Sequence, residues 1–177
     1  MKFWNNIRNF FYRKRWKQAL AGVKVGRSII NLQDAATVGI IYESSPANDS
    51  VIAAFADGLR KEGKKVEVVG FVNDKKIVSK PGIVVLNSNN VSWAKVPKGE
   101  GVDKFAGTRF DLLLACFTAE NLPLEYIAGI SRAAWRVGAY SNNKTECYDM
   151  MINLGGRKEL PYLLEQMASF LNRIKAA

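Results

Sequence analysis

Two long apolar runs constrain the fold of this chain more than any other feature. They are Thr37 to Tyr42 (TVGIIY) and Phe110 to Phe117 (FDLLLACF), and neither alternates regularly between apolar and polar residues. Runs of this kind are typical of strands buried on both faces, as in a parallel sheet that has helices on each side. The two runs therefore predict an α/β fold.

Amphipathic helices follow both runs. The first run leads into a predicted helix from about Asp49 to Glu62 and then a strand from Lys65 to Val72. The second leads into a helix from Leu122 to Ala133 and a strand from Trp135 to Tyr140. Two strand–helix–strand units with right-handed crossovers predict a three-layer α/β sandwich around a largely parallel sheet, either flavodoxin-like or Rossmann-like.

The remaining elements are shorter, apart from the last. Strands are predicted at Ile83 to Leu86, at Tyr148 to Leu154 and, as an edge strand, around Ser28 to Leu32. A closing helix is predicted from Leu160 to Ile174, where apolar residues keep a 3.6-residue spacing. We expect residues 34–177 to form the α/β domain and residues 1–33 to form a separate helical extension.

The extension holds nearly all of the excess charge. Residues 1–33 carry eight Lys or Arg and no Asp or Glu, whereas the net charge of the whole chain is +10. Residues 2–21 predict an amphipathic helix whose apolar face contains aromatic side chains and whose second half is basic. The aromatic face comprises Phe3, Trp4, Ile7, Phe10 and Phe11, and the basic residues are Arg13, Lys14, Arg15 and Lys17.

Three interpretations of this helix remain open. Its apolar face packs on its own domain or on a protein partner, including a second copy, as amphipathic helices usually do. Alternatively, the helix lies on an anionic membrane surface, which suits a basic helix with Trp and Phe. The third interpretation is nucleic acid binding, which the near-neutral remainder of the chain disfavours.

The absence of histidine limits the possible chemistry. The chain has no His, so histidine-dependent hydrolysis and histidine zinc sites are excluded. Its two cysteines do not form a disulfide framework, and we expect Cys116 to be buried and Cys147 to be more exposed. We predict no metal site and assign no catalytic residue, and whether the protein is an enzyme stays open.

Polar clusters follow three of the predicted strands. Parallel sheets bind ligands beyond the carboxyl ends of their strands, and short hydroxyls and amides there suit an anion. The candidate ligand-binding residues are Ser44, Ser45, Asn48, Asp49, Thr118, Ser141 and Asn142. The alternative is that these side chains only cap helices and make turns. Trp93 either stacks on a ligand or anchors its loop, and Arg132 and Arg136 are expected at the surface.

One of these clusters resembles a known phosphate loop. Ile40 to Gly58 (IIYESSPANDSVIAAFADG) is similar to the loop in which flavodoxins hold the phosphate of flavin mononucleotide (FMN). The resemblance implies that Ser44, Ser45 and Asn48 contact a phosphate of FMN or of another nucleotide. Pro46 and Ala47 depart from the pattern, because the loop loses a hydroxyl, a glycine and a backbone donor.

The chain as a whole resembles an uncharacterised bacterial family of unknown function. The resemblance rests on the two apolar runs, on AAWRVG at Ala133 to Gly138, on YDMMI at Tyr148 to Ile152 and on the closing helix. It implies the fold and no active site. We therefore expect a cytoplasmic, non-catalytic binding or interaction module whose N-terminal helix mediates association, with the inner face of the membrane as one location. A flavin- or nucleotide-binding enzyme is the alternative.

Overall fold

A computed structural model describes residues 2–75, 80–142 and 146–174, without the side chains at positions 2, 3 and 5. The predicted role of Phe3 therefore lies outside the described residues. The helices are α1 (Lys2–Ala21), α2 (Pro46–Lys61), α3 (Glu100–Gly107), α4 (Leu122–Ile130) and α5 (Leu160–Arg173). The strands are β1 (Thr37–Glu43), β2 (Lys65–Phe71), β3 (Ile83–Leu86), β4 (Leu112–Cys116), β5 (Trp135–Ala139) and β6 (Met150–Ile152).

The six strands form one parallel sheet in the order β3-β2-β1-β4-β5-β6. The predicted three-layer sandwich is confirmed. Among the two architectures that the sequence left open, this order is the Rossmann type, since the flavodoxin order places its third strand beside its first. The order reverses between β1 and β4, so the carboxyl ends of these two strands frame the switch point of the sheet.

Two apolar clusters cover the two faces of the sheet. Helices α2 and α5 pack on one face against Val38, Ile40 and Tyr42 of β1. Helices α1, α3 and α4 contribute to the cluster on the other face, which contains Ile41 of the same strand. Side chains of a strand alternate between the faces, and helices cover both. This explains why the sequence of β1 is apolar throughout.

Helix α1 packs on this second face beside α4. Tyr12 donates its hydroxyl to the Leu122 carbonyl oxygen at 3.0 Å, and Trp16 donates its indole N–H to Glu146 at 3.0 Å. The Trp16 ring lies so close to Gly129 that a Cβ on that glycine would sit 2.0 Å from a ring carbon. Tyr12 contacts the start of α4, and Trp16 contacts a residue near its end. The two helices are therefore parallel.

Several shorter predictions differ from the structure. The predicted edge strand at Ser28 to Leu32 does not form, although every residue of this segment is described. The segment makes one hydrogen bond beside β5, from Ser28 N–H to the Ala134 carbonyl, and one to α5, from Leu32 N–H to the Leu171 carbonyl. Helix α3 was not predicted, since it is eight residues long and begins and ends near glycines.

Two residues expected at the surface are buried. Arg136 is not a surface group, because its guanidinium forms a two-point ion pair with Asp149 at 3.0 and 2.8 Å and donates to the Gly129 carbonyl. Cys147 is buried in the second apolar cluster, as the neighbouring Tyr148 is. Cys116 is buried as predicted, and burial raises the pKa of its thiol.

Candidate functional site

The carboxyl edge of the sheet divides into two halves of different character. One half lies at the start of α2, where the sequence predicts a phosphate site. The other half lies between β1 and β4 and extends under α1. The predicted ligand residues are distributed over both halves, so they do not form one site.

At the start of α2, the polar side chains bond to one another. Asp49 accepts hydrogen bonds from the Tyr42 hydroxyl at 2.8 Å and from the Ser44 hydroxyl at 2.8 Å. Lys80 forms a salt bridge with Asp49 and donates to the Ser44 hydroxyl oxygen at 2.6 Å. Lys80 is 31 residues away from Asp49 in sequence, so nothing in the local pattern of Ser44 to Asp49 indicates this partner.

The electrostatics of Asp49 follow from these contacts. Burial alone raises the pKa of a carboxyl group, but the hydrogen bonds from Lys80, Ser44 and Tyr42 and the Lys80 charge outweigh it and hold the pKa of Asp49 below its usual value. Burial and the hydrogen bond to Asp49 raise the pKa of Tyr42. Asp49 is therefore an anion whose charge is balanced within the protein.

The two remaining candidate residues of this loop, Ser45 and Asn48, shape the start of α2 together with Pro46. Ser45 caps the helix, because its hydroxyl oxygen accepts the Asn48 N–H at 3.2 Å. Pro46 occupies the first turn, where its missing N–H is not needed by the helix. The Asn48 side chain donates to the Glu43 carbonyl at 2.9 Å. These contacts match the alternative that the side chains only cap a helix. Because Ser45 is the cap, α2 begins at Pro46 and not at about Asp49 as predicted.

Thr118, Ser141 and Asn142 lie away from this loop. Thr118 and Ser141 both line a cavity of about 600 Å³ under α1, where Tyr12, Arg13 and Trp16 form the helix side of the wall. The Thr118 hydroxyl donates to the Lys158 carbonyl at 3.0 Å. Asn142 accepts a hydrogen bond from the Tyr140 hydroxyl. The structure thus brings Thr118 and Ser141 to one cavity and leaves Asn142 with Tyr140.

A second cavity opens at the switch point itself. It measures about 430 Å³, and we call it the switch-point crevice. Its lining comes from α1, the ends of β1 and β2, the loop after β3 and the start of α4. The lining residues that matter below are Arg8, Asn9, Glu43, Trp93, Lys95 and Asn121. Arg8 and Lys95 were missed by the sequence reasoning, because no motif marks either of them.

The outward side of α1 carries the predicted association residues. Trp4, Phe10 and Phe11 are 70, 64 and 43% exposed, and we call them the outer aromatic face. At about 100° per residue, Phe10 lies roughly 160° around the helix from the buried Tyr12, and Phe11 and Trp4 lie roughly 100° and 80° from it. Phe11 contacts the Trp93 ring edge-on, with 5.4 Å between the ring centroids. The basic residues Arg13, Lys14 and Arg15 are exposed in the next turn of the helix.

The described residues contain neither a membrane-spanning helix nor a metal-binding cluster. None of their helices combines the length and the apolar character needed to cross a membrane. No group of three or more Cys, Asp or Glu side chains in this part of the chain is placed to hold a metal ion.

Comparison with known proteins places the chain in a family. A model described as a family of unknown function (DUF6913) matches residues 8–174. The chain belongs to this family. The expected membership of an uncharacterised family is confirmed, and the match extends from within α1 to the end of the described chain. No curated protein and no solved structure matches the sequence.

Proposed function

We propose that the protein is a non-catalytic binding module that docks on an anionic membrane surface through the outward side of α1. The observation that carries this proposal is the exposure of Trp4 and Phe10, 70 and 64%, on the part of the α1 surface that does not pack through the buried Tyr12 and Trp16. Exposed aromatic clusters of this kind usually mark interaction sites.

The position of α1 supports docking. Tyr12 contacts the first residue of α4, and ten residues of α1 precede it. Ten helical residues span about 15 Å, so the first half of α1 extends past the start of α4 at the carboxyl edge of the sheet. The outer aromatic face is therefore presented at an end of the molecule, where a flat surface can reach it.

Charge favours a lipid surface over a second copy of the chain. A two-fold symmetric dimer through α1 would place identical surfaces against each other. Residues 1–33 contain eight basic residues and no acidic residue, so such a contact would bring like charges together. An anionic bilayer complements these charges, while Trp and Phe enter the boundary between headgroups and acyl chains.

Vesicle co-sedimentation of the full chain tests the proposal. We expect binding to phosphatidylglycerol-containing vesicles, weak binding to pure phosphatidylcholine vesicles, and loss of binding in high salt because surface charges are screened. Deleting α1 is unsuitable as a test, since Tyr12 and Trp16 belong to the core. The test variant is instead Trp4→Ala with Phe10→Ala, which we expect to reduce binding at least tenfold.

Matched controls separate this surface from general stickiness. Phe170 of α5 is 40% exposed on a different helix, and Phe170→Ala should leave vesicle binding unchanged. Replacing Arg13, Lys14 and Arg15 by Gln should weaken binding, whereas Lys61→Gln with Lys65→Gln should not. Equal binding to both kinds of vesicle, or a dimer that dissociates in the Trp4→Ala, Phe10→Ala variant, would contradict the proposal and favour a protein partner.

A further inference from the structure

The switch-point crevice lies where parallel sheets of this topology hold ligands. Strand order reverses between β1 and β4, and Glu43 at the end of β1 and Asn121 before α4 both line the crevice. Ligands of open α/β sheets bind in this position, outside the carboxyl ends of the strands. The volume of about 430 Å³ lies within the range of small-molecule sites.

A tight turn fixes one wall of the crevice. Val91 and Pro97 pair as an isolated antiparallel bridge, and between them Ser92 N–H donates to the Val96 carbonyl at 2.8 Å and Lys95 N–H donates to the Ser92 carbonyl at 2.9 Å. Lys95 has a φ of 64°, and no other non-glycine residue in the described ranges has a positive φ. Such a conformation persists only where the surrounding contacts impose it. The turn therefore fixes the backbone that carries Trp93 and Lys95, and the Trp93 ring, which is 62% exposed, contacts Phe11.

Helix α1 supplies the facing wall. Arg8 and Asn9 line the crevice from α1, which is anchored by Tyr12 and Trp16 one and two turns further along. The crevice thus combines an aromatic ring, cations from two separate elements and two carboxylates, Glu43 at its strand end and Glu120 before α4. This set suits a ligand with an aromatic base, an anionic group and hydroxyl groups.

The anionic group of such a ligand needs side-chain cations here. In Rossmann-type sites the phosphate usually lies at the start of the helix that follows the first strand. In this protein that position is filled by the carboxylate of Asp49, whose charge is balanced by Lys80. Lys95 and Arg8 in the crevice supply the positive charge instead.

We infer that the switch-point crevice binds a mononucleotide, with its base against Trp93, its phosphate paired with Lys95 and Arg8, and a ribose hydroxyl donating to Glu43. This inference uses Arg8 and Asn9 of α1, and it meets the outer aromatic face only where Phe11 contacts the Trp93 ring. Trp4 and Phe10 do not line the crevice, so Trp4→Ala with Phe10→Ala tests the membrane proposal separately. It assigns a small-molecule site to a protein whose family has no assigned function.

Titration calorimetry and thermal shift in vesicle-free buffer test the inference. The probes are AMP, GMP and FMN, with adenosine, guanosine and riboflavin as their uncharged counterparts. We expect at least one nucleotide to bind and to raise the melting temperature, and the matching nucleoside to bind at least tenfold more weakly. Stacking and ion pairing each contribute enough for such differences.

Variants identify the site. Lys95→Asn removes the charge and retains a residue that tolerates positive φ, so we expect nucleotide affinity to fall about tenfold. Lys95→Gly is the second variant if Lys95→Asn fails to fold. Trp93→Leu should weaken nucleotide and nucleoside alike. Lys98→Asn removes an exposed charge from the same loop and is the control. Absence of binding by all three nucleotides, or binding that Lys95→Asn and Trp93→Leu leave unchanged, would overturn the inference.

Discussion

The two halves of the carboxyl edge contain similar residue types and differ in how those residues are used. At the start of α2, Tyr42, Ser44 and Asp49 bond to one another and to Lys80. Under α1, cavities of about 430 and 600 Å³ remain between the sheet and the helix. Polar residues after a parallel strand therefore do not by themselves mark a ligand site. Hydrogen bonds made within the protein decide whether any polar group is left for a ligand.

The half of the carboxyl edge that lies under α1 depends on the packing of that helix, and the largest predicted effect tests this dependence. Trp16→Ala removes a buried indole that packs on Gly129 and bonds to Glu146. We expect the free energy of unfolding to fall by about 3–5 kcal/mol, measured by urea denaturation. Trp4→Ala is the matched control, because Trp4 is 70% exposed and surface substitutions usually change stability by about 0.5 kcal/mol or less. Equal losses in the two variants would show that α1 is not anchored through its inner face.

Gly129→Ala approaches the same contact from α4. A Cβ at this position would lie 2.0 Å from the Trp16 ring, so the ring or the helix must move. We expect a loss of about 1–3 kcal/mol, typical of overpacking, measured in the same denaturation assay. Gly58→Ala in α2 is the control, since a Cβ there meets nothing within 4 Å and alanine favours a helix by about 1 kcal/mol. A Gly129→Ala variant as stable as wild type would contradict the close approach of the helices.

Asp49→Asn tests whether the charge of Asp49 stabilises the half of the carboxyl edge at the start of α2. We expect the variant to be less stable than wild type by about 1–3 kcal/mol at pH 7, because hydrogen bonds to a charged group are lost. The pKa of Asp49 is held below its usual value in the folded protein. Its stabilisation is therefore complete above the unfolded pKa of about 3.9 and is lost as pH falls through the lower folded pKa.

Denaturation of wild type and Asp49→Asn across acidic pH measures this effect. The stability difference between the two proteins should narrow as pH decreases below about 4. A difference that stays constant down to the acid limit of folding would mean that the Asp49 charge does not hold this half together. Lys80→Met should reduce stability in the same direction, since it removes the cation that balances Asp49.

The smallest expected effect concerns Ser45, which caps α2 beside the hydrogen-bonded residues Ser44 and Asp49. Ser45→Ala should lower stability by about 1 kcal/mol through loss of the α2 cap, and Ser45→Gly by only a few tenths of a kcal/mol. Nucleotide affinity, measured by calorimetry, should be the same in both variants and in wild type. A loss of affinity in both variants would place the ligand at the start of α2 and reverse the distinction between the two halves.

Much of the fold was predictable because it depends on local pattern. The apolar runs of β1 and β4 predict buried parallel strands, and Asn121 caps α4 as its position before Pro123 indicates. The candidate site was less predictable. The Lys80–Asp49 pair joins residues 31 positions apart, and the Trp93 turn depends on a bridge between Val91 and Pro97 that no residue pattern in the loop indicates.

Helix α1 shows the same limit. Its sequence predicts a helix with an aromatic face, and both features are present, yet the sequence does not indicate that the residues buried against α4 are Tyr12 and Trp16. Both sides of the helix contain aromatic residues, so amphipathic pattern alone does not select the packed side. Gly129 selects it, because only a residue without a Cβ allows the Trp16 ring to approach α4.

The sequence alone therefore determined the layers of this protein, since hydrophobic periodicity is a local property of each strand and helix. It also determined the charge of the N-terminal helix and excluded histidine chemistry. Only the tertiary structure decided the strand order, the packed side of α1 and the division of the carboxyl edge. Each of these depends on contacts between residues far apart in the chain, which form when the layers pack and which no local window contains.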